Sequence, residues 1–282
     1  MKAMRKLGFI GAGNMAEALA RGLIENKVFK AAELIASDVD AARRRKFKSA
    51  LKIEVTTDNL KVLGSARAVL FAVKPQTIDA VLTELARGGG DGSSHKRGLT
   101  DKLFVSIAAG VTLGRLESAL GAGARVIRVM PNAPVMVGQG MAALVRGRHA
   151  TRADEAFALR IFRAVGDAVA LKDESMLDAV TALSGSGPAY VYLFAKSLAD
   201  AAVAQGLPAE LALRMALKTI RGAEENMRRS PMTAEELIRI VASPGGTTEA
   251  ALKQLGADGF SDIVAHAIKA AAERSRELGR VS

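Results

Sequence analysis

Short apolar runs alternate with helix-periodic stretches through the first half of the chain, and strand-like runs stop in the second half. Residues 7–10, 33–36, 53–55, 68–73, 104–107 and 125–129 are each apolar, short and followed by small or polar residues. Between them Met15, Leu19, Leu23 and Ile24 recur at helical spacing, as do apolar positions in the later gaps. Buried strands alternating with helices predict a parallel α/β sheet, whose ligands sit at the carboxyl ends of the strands. After Val169, Ala170 and Leu171 the pattern becomes helical, with Met176, Leu177, Val180 and Leu183 on one face. It continues through Tyr190 to Val203 and stops at Gly206-Leu207-Pro208. Further helices are predicted over 209–227, 233–241, from near Thr247, and over 261–278.

The first strand runs into Gly11-Ala12-Gly13-Asn14-Met15-Ala16, a G-x-G-x-x-A turn between strand and helix. Gly11 permits the tight turn, Gly13 lets a pyrophosphate approach the backbone, and Ala16 lets helix and strand pack closely. The expected fold is therefore an α/β Rossmann-type N-terminal domain with a mainly parallel sheet, residues 1–165, followed by an all-α domain, residues 166–282. That second domain is rich in Ala and Leu and poor in aromatics, which suits packing against a copy of itself. The second strand ends at Ser37-Asp38, near where the fingerprint places its ribose-reading carboxylate. Such a group would accept from a 2′-hydroxyl and repel a 2′-phosphate, whereas Ser37 and the run Arg43-Arg44-Arg45 would suit a phosphate. Lys74 is aimed by Pro75 after the fourth strand.

Two stretches of the second half break ordinary helix chemistry. Leu183-Ser184-Gly185-Ser186-Gly187-Pro188-Ala189-Tyr190 puts Gly and Pro inside a predicted helix, at about 1 kcal/mol for each Gly and about 3 for Pro. Either a close backbone crossing or a ligand accounts for it. Ser243-Pro244-Gly245-Gly246-Thr247-Thr248 is a tight turn directly before an apolar-periodic run. A helix starting there leaves its first N–H groups unpaired, which makes an N-cap or an anion site.

Composition narrows the chemistry. The chain is 49% hydrophobic and 24% charged, as expected of a cytoplasmic globular protein with a large core and no membrane partner. It has no cysteine, and His95, His149 and His266 lack metal-ligand spacing, so no metal is expected. His95 falls in a Gly-rich stretch, 87–98, predicted to be a surface loop. The formal charge of +11 would suit nucleic acid, but 4% aromatic residues and no tryptophan leave little to stack on bases, and no nucleic-acid motif is present. The same charge suits a phosphorylated cofactor and an anionic substrate.

These segments together resemble the pyrroline-5-carboxylate reductase family. The likeness rests on residues 9–16, Ala72-Val73-Lys74-Pro75, Ser106-Ile107-Ala108-Ala109-Gly110-Val111-Thr112, residues 126–132, and the two helical-domain motifs, in that family's order. It implies reduction of 1-pyrroline-5-carboxylate to L-proline by NADPH, with NADH left open by Asp38. It also implies a homodimer through the C-terminal helices, and higher assemblies. In the resemblance Ile10, Gly11, Ala12, Gly13, Asn14 and Met15 hold the pyrophosphate, Ser37 and Asn59 meet the adenosine side, and Ala72, Val73, Lys74, Pro75 and Ala108 line the cofactor. Ser243, Gly245, Gly246 and Thr247 hold the substrate carboxylate, and Thr248 is the catalytic hydroxyl facing the ring nitrogen. Where family members often carry His-Pro and then Leu-Lys-Asp, this chain has Met232-Thr233-Ala234-Glu235-Glu236-Leu237-Ile238-Arg239-Ile240. Two competing functions are another β-hydroxyacid-dehydrogenase-like reductase, with Lys196 as its acid–base group, and a basic nucleotide- or nucleic-acid-binding scaffold.

Overall fold

A computed structural model describes residues 4–88, 99 and 101–281. The predicted loop carrying His95 lies, from residue 89, outside the described residues. Strand and helix alternate as β1 (Arg5–Ile10), α1 (Asn14–Glu25), β2 (Leu34–Ser37), α2 (Ala41–Leu51), β3 (Glu54–Thr56), α3 (Asn59–Ser65), β4 (Ala66–Phe71) and α4 (Ile78–Arg87). There follow β5 (Leu103–Ser106), α5 (Leu113–Leu120), β6 (Arg125–Pro131), β7 (Gly140–Arg146), α6 (Arg152–Arg163) and β8 (Gly166–Ala170). The sheet order is β3-β2-β1-β4-β5-β6-β7-β8. All neighbours are parallel except β6 and β7.

The sheet is covered on both faces, which is why its central strands read as continuous apolar runs instead of alternating ones. On one face Leu19 and Leu23 of α1, Phe47 of α2 and Ile161 and Phe162 of α6 pack with Phe9 and Leu70. On the other Val62 of α3, Leu82 of α4 and Leu116 of α5 pack with Val69, Phe71 and Phe104. The strand order reverses around β1, so a crevice opens beyond the carboxyl ends of β1 and β4.

Two features depart from expectation. The sheet does not end with β6: a turn over Ala133–Val137, closed by Gly138 in the left-handed region, returns the chain as β7. And β8, paired with β7, lies past the expected boundary at residue 165. Packing divides the chain later, one unit running through Gly185 and including the chain from Ala271, the other spanning Ser186–Ala270.

The Gly- and Pro-bearing defect expected inside one helix around Ser184 is a full break between two helices. A short helix α7 (Met176–Val180) leads into a π-helical turn, Thr181–Gly185, and a new helix, α8 (Gly187–Ala204), begins with Pro188 in its first turn. There proline's missing N–H leaves no bond unmade, so the interior penalty does not arise. The second unit continues with α9 (Ala209–Arg229), α10 (Ala234–Val241), α11 (Thr247–Ala257) and the start of α12 (Phe260–Val281). Its buried cluster is alanine, Ala199, Ala212 and Ala216, while Tyr192, Leu193, Leu213, Met215 and Leu217 face solvent. A surface of that kind is what association covers. Among the described residues, no helix is long and apolar enough to cross a membrane.

Candidate active site

Parallel register sets Ile10, Ser37, Phe71 and Ser106 level with one another, so the residues that follow them share one edge of the sheet. Gly11 has φ +100°, and a Cβ there would come within 2.7 Å of the Ala72 carbonyl oxygen. Its N–H donates to the Ser37 carbonyl (2.8 Å), and Ala72 N–H donates to the Ile10 carbonyl (2.8 Å). The turn is thus wedged between the ends of β2 and β4, and only glycine fits. Beyond it Ala12 is buried, and its N–H donates to Asp38 Oδ2 at 2.8 Å. The N–H groups of Gly13, Asn14 and Met15 have no partner among the described residues, and α1 starts at Asn14 with no side chain capping it.

Gly13 differs from Gly11. Nothing lies within 4 Å of a Cβ built on it, so its Cα faces open space. Unpaired amides at a helix start, a bare Cα before them and the positive end of the helix dipole fit a dinucleotide's pyrophosphate. Around this turn Val73 and Pro75 are half-buried, Lys74 is exposed and Ala108 is buried, with Ala108 N–H donating to Ser106 Oγ (3.3 Å). Ser37 is fully buried and donates its hydroxyl to Asn59 Oδ1 (2.6 Å), while Asn59 Nδ2 donates to Glu84 (2.7 Å).

The second motif forms the turn before α11. Gly245 has φ +72°, Gly246 N–H donates to the Ser243 carbonyl (2.9 Å), and Gly246 is the N-cap with no side-chain cap bond. The first intrahelical donor is Ala250 N–H, to the Gly246 carbonyl. The N–H groups of Thr247, Thr248 and Glu249 therefore have no partner among the described residues. Ser243 and Thr247 are exposed, Thr248 is half-buried, and none of their hydroxyls is hydrogen-bonded among the described residues. Gly245 is engaged differently: its N–H donates to Glu249 Oε2 at 2.7 Å. The signal for Glu249 was in the sequence, since an acidic side chain at the third helical position commonly reaches back over the turn.

One polar residue that the sequence placed in a motif without a role is Asn132, at the end of β6. Its Nδ2 donates to Ser184 Oγ (3.1 Å) and its Oδ1 accepts from Met141 N–H (2.8 Å), tying the π-helical turn and β7 to one point. A π-helical turn inside a helical run is frequent at functional sites. Lys196, the candidate acid–base group of the competing reductase, is exposed on α8 in an ion pair with Asp200.

Comparison with known proteins adds to this geometry. Residues 174–278 match the family described as pyrroline-5-carboxylate reductase dimerisation, and residues 6–110 match NADP oxidoreductase, coenzyme F420-dependent. The pyrroline-5-carboxylate reductase of Methanosarcina acetivorans is 40% identical, covering 98% of this chain and 98% of its own. That of Pseudomonas aeruginosa is 41% identical over 97% and 96%. Among solved structures, a pyrroline-5-carboxylate reductase from Coxiella burnetii matches with TM-score 0.88, 33% identity and 98% coverage of both chains. The Plasmodium falciparum pyrroline carboxylate reductase, with NADP bound, matches with TM-score 0.85, 32% identity and 99% coverage of both.

Proposed function

The chain belongs to the pyrroline-5-carboxylate reductase family, and from that premise we propose how its own residues carry the reaction. It is an NAD(P)H-dependent oxidoreductase of proline biosynthesis that reduces 1-pyrroline-5-carboxylate to L-proline, and it forms a homo-oligomer. A cytoplasmic setting, expected from composition, belongs to this reading. The residue roles rest on one observation above all: a helix start with three N–H groups that have no partner among the described residues, beside a half-buried Thr248 hydroxyl that is likewise unbonded among them.

Bound NAD(P)H supplies the hydride for the imine carbon. Ile10, Gly11, Ala12, Gly13, Asn14 and Met15 form the turn that holds it, through the amides that α1 leaves free. Ser37 and Asn59 shape the adenosine edge as a hydrogen-bonded pair, and Ala72, Val73, Lys74, Pro75 and Ala108 line the rest. The substrate carboxylate sits on the start of α11, where Thr247 and Thr248 N–H groups and the Ser243 hydroxyl donate to it and the helix dipole favours its charge. Glu249 serves this cradle indirectly, by holding Gly245 in the left-handed conformation that opens the turn. Thr248 donates its hydroxyl proton as a hydrogen bond to the ring nitrogen, where negative charge would otherwise build as hydride arrives. A threonine hydroxyl is too weak an acid to surrender that proton unaided, so its work is polarising and orienting.

The role of the cradle is tested by the substrate itself. Replacing 1-pyrroline-5-carboxylate by 1-pyrroline, which keeps the imine and lacks the carboxylate, should lower kcat/KM by about 100-fold or more, the loss of a charge-assisted set of hydrogen bonds. Ser243→Ala should shrink that ratio. Equal efficiency on the two imines would remove the carboxylate from the start of α11.

A further inference from the structure

Resting on the cofactor reading above, we propose that Asp38 and Asp40 make this enzyme select NADH over NADPH, by occupying the start of α2 and the Arg43 guanidinium beside the ribose with carboxylates of the chain. The geometry begins with Asp38, whose side chain is 6% exposed. Its Oδ2 accepts from Ala12 N–H (2.8 Å) and its Oδ1 accepts from Asp40 N–H (2.8 Å). The carboxylate is therefore locked to the glycine-rich turn at the end of β2, the position from which an acidic group reads a ribose 2′-hydroxyl. Each oxygen retains a lone-pair direction with which to accept from that hydroxyl.

A 2′-phosphate would need donors or cations in place of that carboxylate, and two devices nearby could provide them. The first is the start of α2, but Asp40 is its N-cap and accepts from Ala42 N–H (2.7 Å) and Arg43 N–H (3.3 Å). Those two amide bonds hold the Asp40 carboxyl below its ordinary range, so it stays ionised and occupies the amides. The second is the arginine run. Arg43 lies between Asp38 Oδ2 (3.6 Å) and Asp40 Oδ2 (3.7 Å), one guanidinium shared by two carboxylates. Arg44 donates to the Asp38 carbonyl (2.6 Å), bracing the turn. Of the basic run that suggested phosphate binding in the sequence, Arg43 is thus shared by two of the chain's own acids and Arg44 is held by a main-chain carbonyl.

The test is equilibrium binding of NADH and NADPH to the full-length protein, read by calorimetry and by dihydronicotinamide fluorescence, without substrate. The wild type should bind NADH about tenfold or more tighter than NADPH, the like-charge penalty of a carboxylate facing a phosphate. 5′-AMP should likewise compete better than 2′,5′-ADP. Asp38→Asn keeps the shape, retains one of the two main-chain bonds and removes the charge, and it should bring the ratio toward unity. Arg43→Ala, at a half-exposed position, should widen it, which keeps the proposal decidable if the first variant fails to fold. Rising salt should narrow the wild-type ratio. NADPH bound as tightly as NADH by the wild type would overturn the proposal and leave the reductase reading intact. Failure to bind either dinucleotide would overturn both.

Discussion

Replacing Thr248 by alanine is expected to lower kcat/KM for 1-pyrroline-5-carboxylate by about 10- to 100-fold, the cost of one hydrogen bond made in the transition state. The loss should fall mainly on kcat, because the bond strengthens as charge develops on nitrogen. Dinucleotide affinity should not move, since the residues assigned to it lie elsewhere in the chain. Thr248→Ser, which keeps the hydroxyl, should restore most of the rate. Steady-state kinetics with both variants beside the wild type make the comparison. Unchanged kinetics in Thr248→Ala would mean that the nitrogen is polarised by another group.

The second large effect separates two glycines that look equivalent in the sequence. Gly13→Ala should weaken dinucleotide binding by more than about tenfold with Tm almost unchanged, because its Cβ meets no protein atom within 4 Å and its φ of −75° suits alanine. Gly11→Ala should instead lower stability by about 2 kcal/mol or more, because its Cβ would stand 2.7 Å from the Ala72 carbonyl oxygen at φ +100°. Thermal melts and binding isotherms on the two variants tell them apart. A Gly13→Ala protein that bound dinucleotide normally would place the pyrophosphate somewhere other than the start of α1.

That contrast shows what the sequence could and could not carry. The alternation of short apolar runs with helical spacing was legible because β1, β2, β4 and β5 are buried on both faces, and such strands have no polar side to blur the signal. The Gly11–Ala16 turn was legible because its glycines answer two separate backbone demands. The sheet's last two strands were not read, although Met141-Ala142-Ala143-Leu144-Val145 is an apolar run flanked by Gly140 and Gly147. Its antiparallel pairing follows from the turn at 133–138, which local pattern does not reveal. The Ser184–Pro188 segment looked like a damaged helix, because a π-helical turn followed by a fresh helix start has no distinct periodicity of its own.

Charges were the least legible. Asp38, Asp40, Arg43 and Arg44 lie within seven residues of one another, and the sequence offered both a hydroxyl-reading acid and a phosphate-reading base. Only the hydrogen bonds from Ala12 and Asp40 to Asp38, and the cap from Asp40 to α2, decide which groups are already engaged. Glu249 is similar. Its spacing marks it as a helix-start residue, but its acceptor role toward Gly245, inside the proposed carboxylate cradle, appears only in the fold.

The reaction is tested most directly by mixing the purified chain with 1-pyrroline-5-carboxylate and NADH or NADPH and measuring dinucleotide oxidation and proline together. Proline should form in an amount equal to the dinucleotide oxidised. Binding of both ligands without stoichiometric proline would rule out hydride transfer to the imine by this chain.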